Sequence, residues 1–150
     1  MLYFEDFREG DVTDWGSVAL SQEEIIEFAR EFDPQPMHTD PQAAKDTMLG
    51  GLAASGWQTA AVLMRMMCDG FLLDAASMGS PGVSELRWEL PVRPGDTLTA
   101  RRTVLGSRPS RSRPEVGFVE FDFELFRQDG RRVLQMTCPI MFGRRPGAAA

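Results

Sequence analysis

The first third of the chain places apolar residues at helical spacing. Ser21-Gln22-Glu23-Glu24 has the form of a capping box. Apolar residues that would share one helical face follow it: Ile25, Ile26, Phe28, Ala29 and Phe32. The spacing predicts a helix from about Gln22 to Glu31, which delivers the chain to Asp33.

A proline-rich stretch comes next. Asp33, Gln35 and Asp40 each precede a proline, which biases their backbone toward an extended conformation. Asp33–His38 is therefore predicted to be a stiff loop rather than a helix. Asp40-Pro41 resembles an N-cap followed by proline at the first helical position, which predicts a short helix through Ala43–Lys45 that ends at Gly50-Gly51. His38 is expected to lie between two helices.

The most apolar segment of the chain extends from about Ser55 to Leu72. Gln58, Arg65 and Asp69 interrupt it, which makes it too polar to span a bilayer as about twenty apolar residues would. Because the remaining residues are apolar on most sides, the pattern predicts a long helix in the protein core.

After Pro81-Gly82 the pattern changes to partial alternation of apolar and polar residues, which is typical of strands. The predicted strands are Val83–Leu90, Thr97–Leu105, Val116–Arg127 and Arg131–Phe142, with another near Asp11–Leu20. Gly95-Asp96 and Asp129-Gly130 supply residues that favour tight turns. We therefore expect an α+β fold in which a curved antiparallel β-sheet wraps around the long central α-helix.

Composition excludes several classes of protein. The 150 residues correspond to a single domain (1–150) without internal repeats, long enough to bury about two thirds of its unfolded surface. Two cysteines and one histidine cannot form a four-ligand Cys/His zinc site, and no metal is expected. Cys68 and Cys138 are expected to be reduced core residues of a cytoplasmic protein, and the amino terminus does not resemble a secretory signal.

The net charge of −6 argues against general nucleic-acid binding. The basic residues are nevertheless uneven, since five arginines and no acidic residue lie between Ala100 and Pro114. The simplest interpretation of Gly106–Pro114 is a solvated, flexible loop. The sharper one is that Arg108, Arg111 and Arg113 hold the phosphate groups of a small molecule, because guanidinium groups suit phosphate.

The chain's only histidine, His38, follows Asp33 by five residues. Histidine is the side chain whose unperturbed pKa lies nearest neutrality, and a neighbouring carboxylate can orient it or share its proton. This pairing favours proton transfer. The alternative interpretation is structural: the two aspartates, Asp33 and Asp40, are loop or cap residues, and His38 is a half-buried polar group with its hydrogen bonds satisfied.

The segment Phe28–Asp40 resembles the hydratase signature of the MaoC-like dehydratases, relatives of the (R)-specific enoyl-CoA hydratases with the hot-dog fold. The similarity continues through Gly51–Trp57 and Pro91–Leu98 and covers most of the chain. The sequence departs from the signature at Phe32 and Gln35, where the family most often has glycine and asparagine.

This resemblance implies that Asp33 and His38 are a catalytic pair that adds water to a trans-2-enoyl thioester or removes it from a 3-hydroxyacyl thioester. Gly56, directly after the predicted cap Ser55, is the candidate backbone donor to the thioester oxygen, because the positive end of a helix would point there. The alternative for Gly56 is that it only permits close packing. The other residues expected to contact substrate are Gln35, Pro36, Trp57, Arg108, Arg111 and Arg113.

The chemistry requires no cofactor, and coenzyme A would enter as part of the substrate. A homodimer or dimer of dimers is expected, since one protomer leaves two sheet edges and little depth for a long thioester. No membrane partner is expected. Two other functions remain open: a hot-dog acyl-CoA thioesterase, with Asp69 as the suspect carboxylate, and a non-catalytic acyl-thioester binding protein.

Overall fold

Most of the second half of the chain forms one antiparallel sheet. The computed structural model describes residues 1–147. Its helices and strands are, in chain order, β1 (Val12–Ala19), α1 (Gln22–Phe32), α2 (Pro36–Thr39), α3 (Gly56–Gly70), β2 (Glu85–Trp88), β3 (Thr97–Pro109), β4 (Val116–Arg127) and β5 (Arg132–Gly143). Short 3-10 turns lie at Phe4–Asp6, Ala43–Asp46 and Leu72–Asp74.

The strand order across the sheet is β1-β3-β4-β5-β2, and all neighbouring strands are antiparallel. The long central pairs align Leu98 with Arg127 and Phe121 with Cys138. Gly95 and Gly130 occupy the left-handed region with φ values of +83° and +80°, which confirms the turns predicted at these positions. The order leaves β1 and β2 as the two edge strands.

The inner face of the sheet packs against α3. Alternate residues of β4, among them Phe121, Phe123 and Leu125, are fully buried. Leu63 and Met67 of α3 belong to the same apolar cluster. Each buried side chain of this kind contributes about 1.5–3 kcal/mol relative to an exposed one. The predicted sheet around a long central helix is therefore confirmed.

The prediction that α3 is buried on most sides is wrong for the single chain. Trp57 is 61% exposed and Met64 is 46% exposed, and both lie on the helix face that points away from the sheet. The sheet covers only one side of the helix, so apolar side chains on the other side stay largely exposed in the single chain.

The predicted strand bounds needed two corrections. β2 is shorter than Val83–Leu90, because the amides of Glu89 and Leu90 both turn to the same carbonyl, that of Val133, and regular pairing ends there. β3 is longer than predicted: after a bulge between Val104 and Gly106, pairing resumes and continues to Pro109. Arg108 consequently lies on a strand rather than in a flexible loop.

The stiff loop predicted for Asp33–His38 is partly wrong, because Pro36–Thr39 form one helical turn. Gln35 has the extended backbone (ψ 144°) that a following proline imposes, and it acts as the N-cap. Pro36 then occupies the first helical position, where its fixed φ suits a helix and its missing N–H is not needed. The helix that was expected around Ala43–Lys45 is a 3-10 turn whose N-cap is Gln42 rather than Asp40. The Asp40 side chain still accepts hydrogen bonds from the amides of Gln42 and Ala43.

Candidate active site

The candidate site lies where the end of α1, the single turn of α2 and the start of α3 come together. Asp33 is the C-cap of α1, His38 lies on the single turn of α2, and Ser55 is the N-cap of α3. The proline-bounded connection between α1 and α2 brings the aspartate and the histidine together. Their predicted proximity is confirmed: Nε2 of His38 lies 3.5 Å from Oδ2 of Asp33.

His38 is held in one protonation pattern. Its side chain is buried, and Nδ1 lies 2.7 Å from the carbonyl oxygen of Ala53. A carbonyl oxygen only accepts hydrogen bonds, so Nδ1 must carry the hydrogen. In the neutral imidazole, Nε2 is then an unprotonated acceptor that faces Asp33.

Both oxygens of Asp33 accept hydrogen bonds from neighbouring side chains. Ser55 donates to Oδ2 at 2.6 Å, and the Gln35 amide donates to Oδ1 at 2.7 Å. The pKa of Asp33 lies below its usual value, and the hydrogen bond from Ser55 is the largest cause. Burial opposes this shift, whereas Gln35 and His38 lower the pKa further. Asp33 is therefore a carboxylate at neutral pH.

When the imidazole is neutral, the facing atoms of the pair are both acceptors. An unprotonated imidazole nitrogen and a carboxylate oxygen cannot form a hydrogen bond with each other. A small molecule that donates two hydrogens, such as water, is complementary to both. The arrangement can therefore hold such a donor between Nε2 of His38 and Oδ2 of Asp33 and accept a proton from it.

A cavity of about 350 Å³ opens at the histidine. Most of its lining is apolar and comes from α2, the loop before α3, the start of α3 and the segment after β2. The lining residues are Met37, His38, Leu49, Ala53, Ala54, Gly56, Thr59, Trp88, Glu89, Leu90, Pro91 and Val92. An apolar cleft with an acid–base group in its wall is typical of a small-molecule site.

Gly56 lines this cavity at the first turn of α3. Its lack of a side chain is required, because a Cβ there would lie 2.6 Å from the indole ring of Trp88. The indole N–H of Trp88 also donates to the Gly56 carbonyl oxygen at 2.8 Å. Close packing is therefore one reason for glycine at this position, and it does not conflict with a role for the amide at the helix start.

Trp57 and Trp88 form an edge-to-face pair with ring centroids 5.1 Å apart, and of the two only Trp88 is among the residues that line the cavity. Trp57 was predicted to contact substrate, whereas Trp88 was not, because a single tryptophan in a short edge strand carries no motif. Ala53 was not predicted either, because its contribution is a backbone oxygen that no sequence pattern reveals. Pro36 is exposed at the start of α2.

The three arginines lie at the other end of the sheet. Arg108 pairs with Phe118, which pairs with Met141 on β5, whereas Trp88 pairs with Leu134 of the same strand. Seven residues of strand correspond to roughly 23 Å. The structure therefore does not bring Arg108, or the loop with Arg111 and Arg113 that follows it, to the His38 cavity of the same chain.

The described residues do not favour a thioesterase carboxylate at Asp69 or a metal site. Asp69 is exposed on the outer side of α3 and forms an ion pair with Arg65 at 2.8 Å, away from the cavity. Within residues 1–147, no group of three or more histidine, cysteine or acidic side chains is arranged to hold a metal ion. No helix in that range is long and apolar enough to cross a bilayer.

Comparison with known proteins decides the family. The sequence model of the MaoC-like domain matches residues 8–120. The chain belongs to the MaoC-like domain family. One relative is an (R)-specific enoyl-CoA hydratase of Rhodospirillum rubrum, which is 30% identical over 116 residues, 73% of this chain and 74% of the hydratase.

Two solved MaoC-like or hot-dog structures resemble this one closely. The MaoC-like dehydratase from Rhodospirillum rubrum is 41% identical, with a TM-score of 0.91 over 97% of this chain and 99% of that one. The Mycobacterium tuberculosis protein RV0216, which has a double hot-dog fold, aligns with a TM-score of 0.79 at 21% identity over 99% of this chain and 46% of its own. The expected hot-dog fold is therefore confirmed.

A further relative widens the family without adding an activity. YdeM of Bacillus subtilis, an uncharacterized protein, is 30% identical over 144 residues, which is 95% of this chain and 100% of YdeM.

Proposed function

We propose that the protein is a hydro-lyase that adds water to a trans-2-enoyl thioester, or removes it from a 3-hydroxyacyl thioester. The observation that carries the proposal is the pair of facing acceptors, Nε2 of His38 and Oδ2 of Asp33, 3.5 Å apart at an apolar cavity. Hydratase and dehydratase relatives support this choice of reaction.

In hydration, a water molecule donates one hydrogen to each member of the pair. Its oxygen attacks C3 of the enoyl group while one of its protons passes to the pair, and the carbon–carbon double bond becomes an enolate. A proton from the pair then reaches C2, so that the net change is the addition of H and OH across the double bond. Dehydration follows the same path in reverse.

Negative charge develops on the thioester oxygen during this reaction. Gly56 is at the positive end of α3, and its amide, at the first helical position, has no intrahelical acceptor. We assign that amide to the thioester oxygen, since a donor already fixed in position stabilises the enolate without reorganisation. Trp88 helps to fix it, because its ring packs on the Gly56 backbone.

The predicted contacts from the three arginines would come from a second copy of the chain. β1 and β2 are open edges, and the arginines lie roughly 23 Å along the strand from the cavity. In a homodimer, or a dimer of dimers, Arg108, Arg111 and Arg113 of one chain are available to the coenzyme A phosphates of a thioester bound by another. Light scattering at micromolar concentration tests this, and an active monomer would contradict it.

The thioesterase and binding-protein alternatives are not favoured by any observation at the site. The carboxylate suspected for a thioesterase, Asp69, is exposed and already paired with Arg65. A binding protein would not need an ionised Asp33 with two hydrogen-bond donors beside an oriented His38.

A panel of enoyl-CoA and 3-hydroxyacyl-CoA thioesters of different chain length and branching tests the proposal. Hydration removes the absorbance of the conjugated enoyl group, whereas hydrolysis releases a thiol that a colorimetric reagent detects. We expect absorbance to change without thiol release. Rapid thiol release at constant enoyl absorbance would replace the hydratase with a thioesterase, and binding without either change would leave a binding protein.

A further inference from the structure

The loop between the 3-10 turn and α3 is held by one arginine. Arg93 donates from Nη1 to the carbonyl oxygens of Gly51 at 2.7 Å and Leu52 at 3.3 Å, and from Nη2 to that of Leu49. The planar guanidinium group can reach several acceptors at once because its donors are fixed in a fork. Its own backbone is fixed in turn, since Asp96 accepts from the Arg93 amide at 2.8 Å.

The carbonyl that follows these three is the one that orients His38. Ala53 accepts from Nδ1 of His38 at 2.7 Å, directly after Leu52 in the chain. The Ala53 amide donates to Met37 at 3.2 Å, and the next amide, that of Ala54, donates to Val92 at 2.8 Å. Arg93 and Val92 thus hold one side of this segment while α2 holds the other.

We propose that Arg93 is a positioning residue that selects the reactive tautomer of His38 through the Leu49–Ala53 loop. The expected effect on turnover rests on the proposed function, whereas the effect on the tautomer does not. The hydrogen on Nδ1 depends on an acceptor at Ala53, and the direction of that carbonyl depends on the fixed peptide units before it. Without this acceptor, the hydrogen moves to Nε2 and is donated to Asp33.

That change would remove the property on which the mechanism depends. With hydrogen on Nε2, histidine and aspartate form a direct hydrogen bond, and the site no longer offers two acceptors to one water molecule. Small displacements of a catalytic group have large effects on rate. The expected kinetic signature is a fall in kcat of at least about tenfold with a smaller change in KM, because Arg93 is not among the residues that line the cavity.

The tautomer can be measured directly because the chain has a single histidine. In tag-free protein labelled with nitrogen-15, long-range proton–nitrogen correlation spectra separate the protonated from the unprotonated ring nitrogen. Wild type should show hydrogen on Nδ1 at a pH where the ring is neutral. Arg93→Met, which keeps the apolar stem, should show hydrogen on Nε2 or a mixture, and Arg93→Lys a smaller change in the same direction.

Arg101→Met is the matched control. Arg101 is another half-buried arginine, on the outer face of the sheet, where it pairs with Asp14 at 2.6 Å. Its removal should leave the imidazole spectrum and kcat unchanged. Backbone amide spectra and thermal melting establish that each variant folds, and if Arg93→Met does not fold, the spectrum of Arg93→Lys decides.

An imidazole spectrum of folded Arg93→Met, or of Arg93→Lys in its place, that coincides with wild type would overturn the proposal. So would hydrogen on Nε2 in the wild type. If the tautomer shifts as expected but wild type hydrates no enoyl thioester, the proposed reaction is wrong, whereas the role of Arg93 in setting the tautomer of His38 is supported.

Discussion

Polar side chains at one end of the sheet are fixed by hydrogen bonds, whereas those at the other end are exposed. Beside α2, each oxygen of Asp33 has a donor and His38 has one ring nitrogen fixed by a backbone carbonyl. At the other end, Arg108 stacks over the ring of Phe118 at 4.4 Å, near solvent. An exposed cation–π contact is worth only about 0.5–1 kcal/mol and leaves the side chain free to move. The first arrangement suits proton transfer, and the second suits the holding of charge.

The largest loss of activity is expected from substitution of Asp33 or His38. Asp33→Asn and His38→Ala should each lower kcat/KM for enoyl hydration by at least about a hundredfold, the usual scale for a positioned acid or base. Asp69→Asn is the matched control, since that carboxylate is exposed and away from the cavity, and it should retain activity. Circular dichroism must show that the variants fold. Turnover near the wild-type rate in a folded Asp33→Asn or His38→Ala protein would remove the pair from the mechanism.

Ser55→Ala should lower activity less than the substitutions at Asp33 and His38. The Ser55 hydroxyl is the main cause that lowers the pKa of Asp33, so its removal raises that pKa toward the usual value. Because the reaction needs the carboxylate, activity should fall at a higher pH on the acid side of the profile than in wild type. At acidic pH we expect a loss of roughly tenfold, as for one hydrogen bond to a charged group.

The pH dependence of kcat measures this change, with Ser17→Ala, an exposed serine of β1, as the control. An acid limb that does not move in Ser55→Ala would show that Asp33 is not the group that must be ionised.

The smallest effect is expected at the arginine end. Replacement of Arg108, Arg111 and Arg113 by alanine should raise KM for a coenzyme A thioester several-fold, since guanidinium groups at a phosphate add charge-assisted hydrogen bonds. KM for a pantetheine analogue without the nucleotide should not change, and neither should kcat. An equal rise for both substrates would remove the arginines from the substrate site and leave them as surface residues.

The sequence predicts the elements whose stabilising interactions are local. The capping box at Ser21 places the start of α1 at Gln22, and both its hydrogen bonds are present. The glycines at 95 and 130 mark turns because only a residue without Cβ adopts their backbone easily. The proximity of Asp33 and His38 was also predictable, since only four residues, two of them prolines, lie between them.

What the sequence could not predict depends on residues that are distant along the chain. The extension of β3 beyond Leu105 depends on pairing with β4, and the exposed side of α3 depends on how far the sheet curves. The tautomer of His38 depends on a backbone oxygen in an irregular loop, and that loop depends on Arg93, 40 positions or more further along the chain. No local pattern contains such contacts.

The addition of water at C3 of an enoyl thioester by Asp33 and His38 can be tested by the reaction in water enriched in oxygen-18, with the label located in the product by mass spectrometry. We expect one oxygen-18 in the C3 hydroxyl group of an intact 3-hydroxyacyl thioester and, in deuterium oxide, one deuterium at C2. Oxygen-18 in the carboxylate of a free acid, with an unlabelled acyl chain, would contradict this expectation.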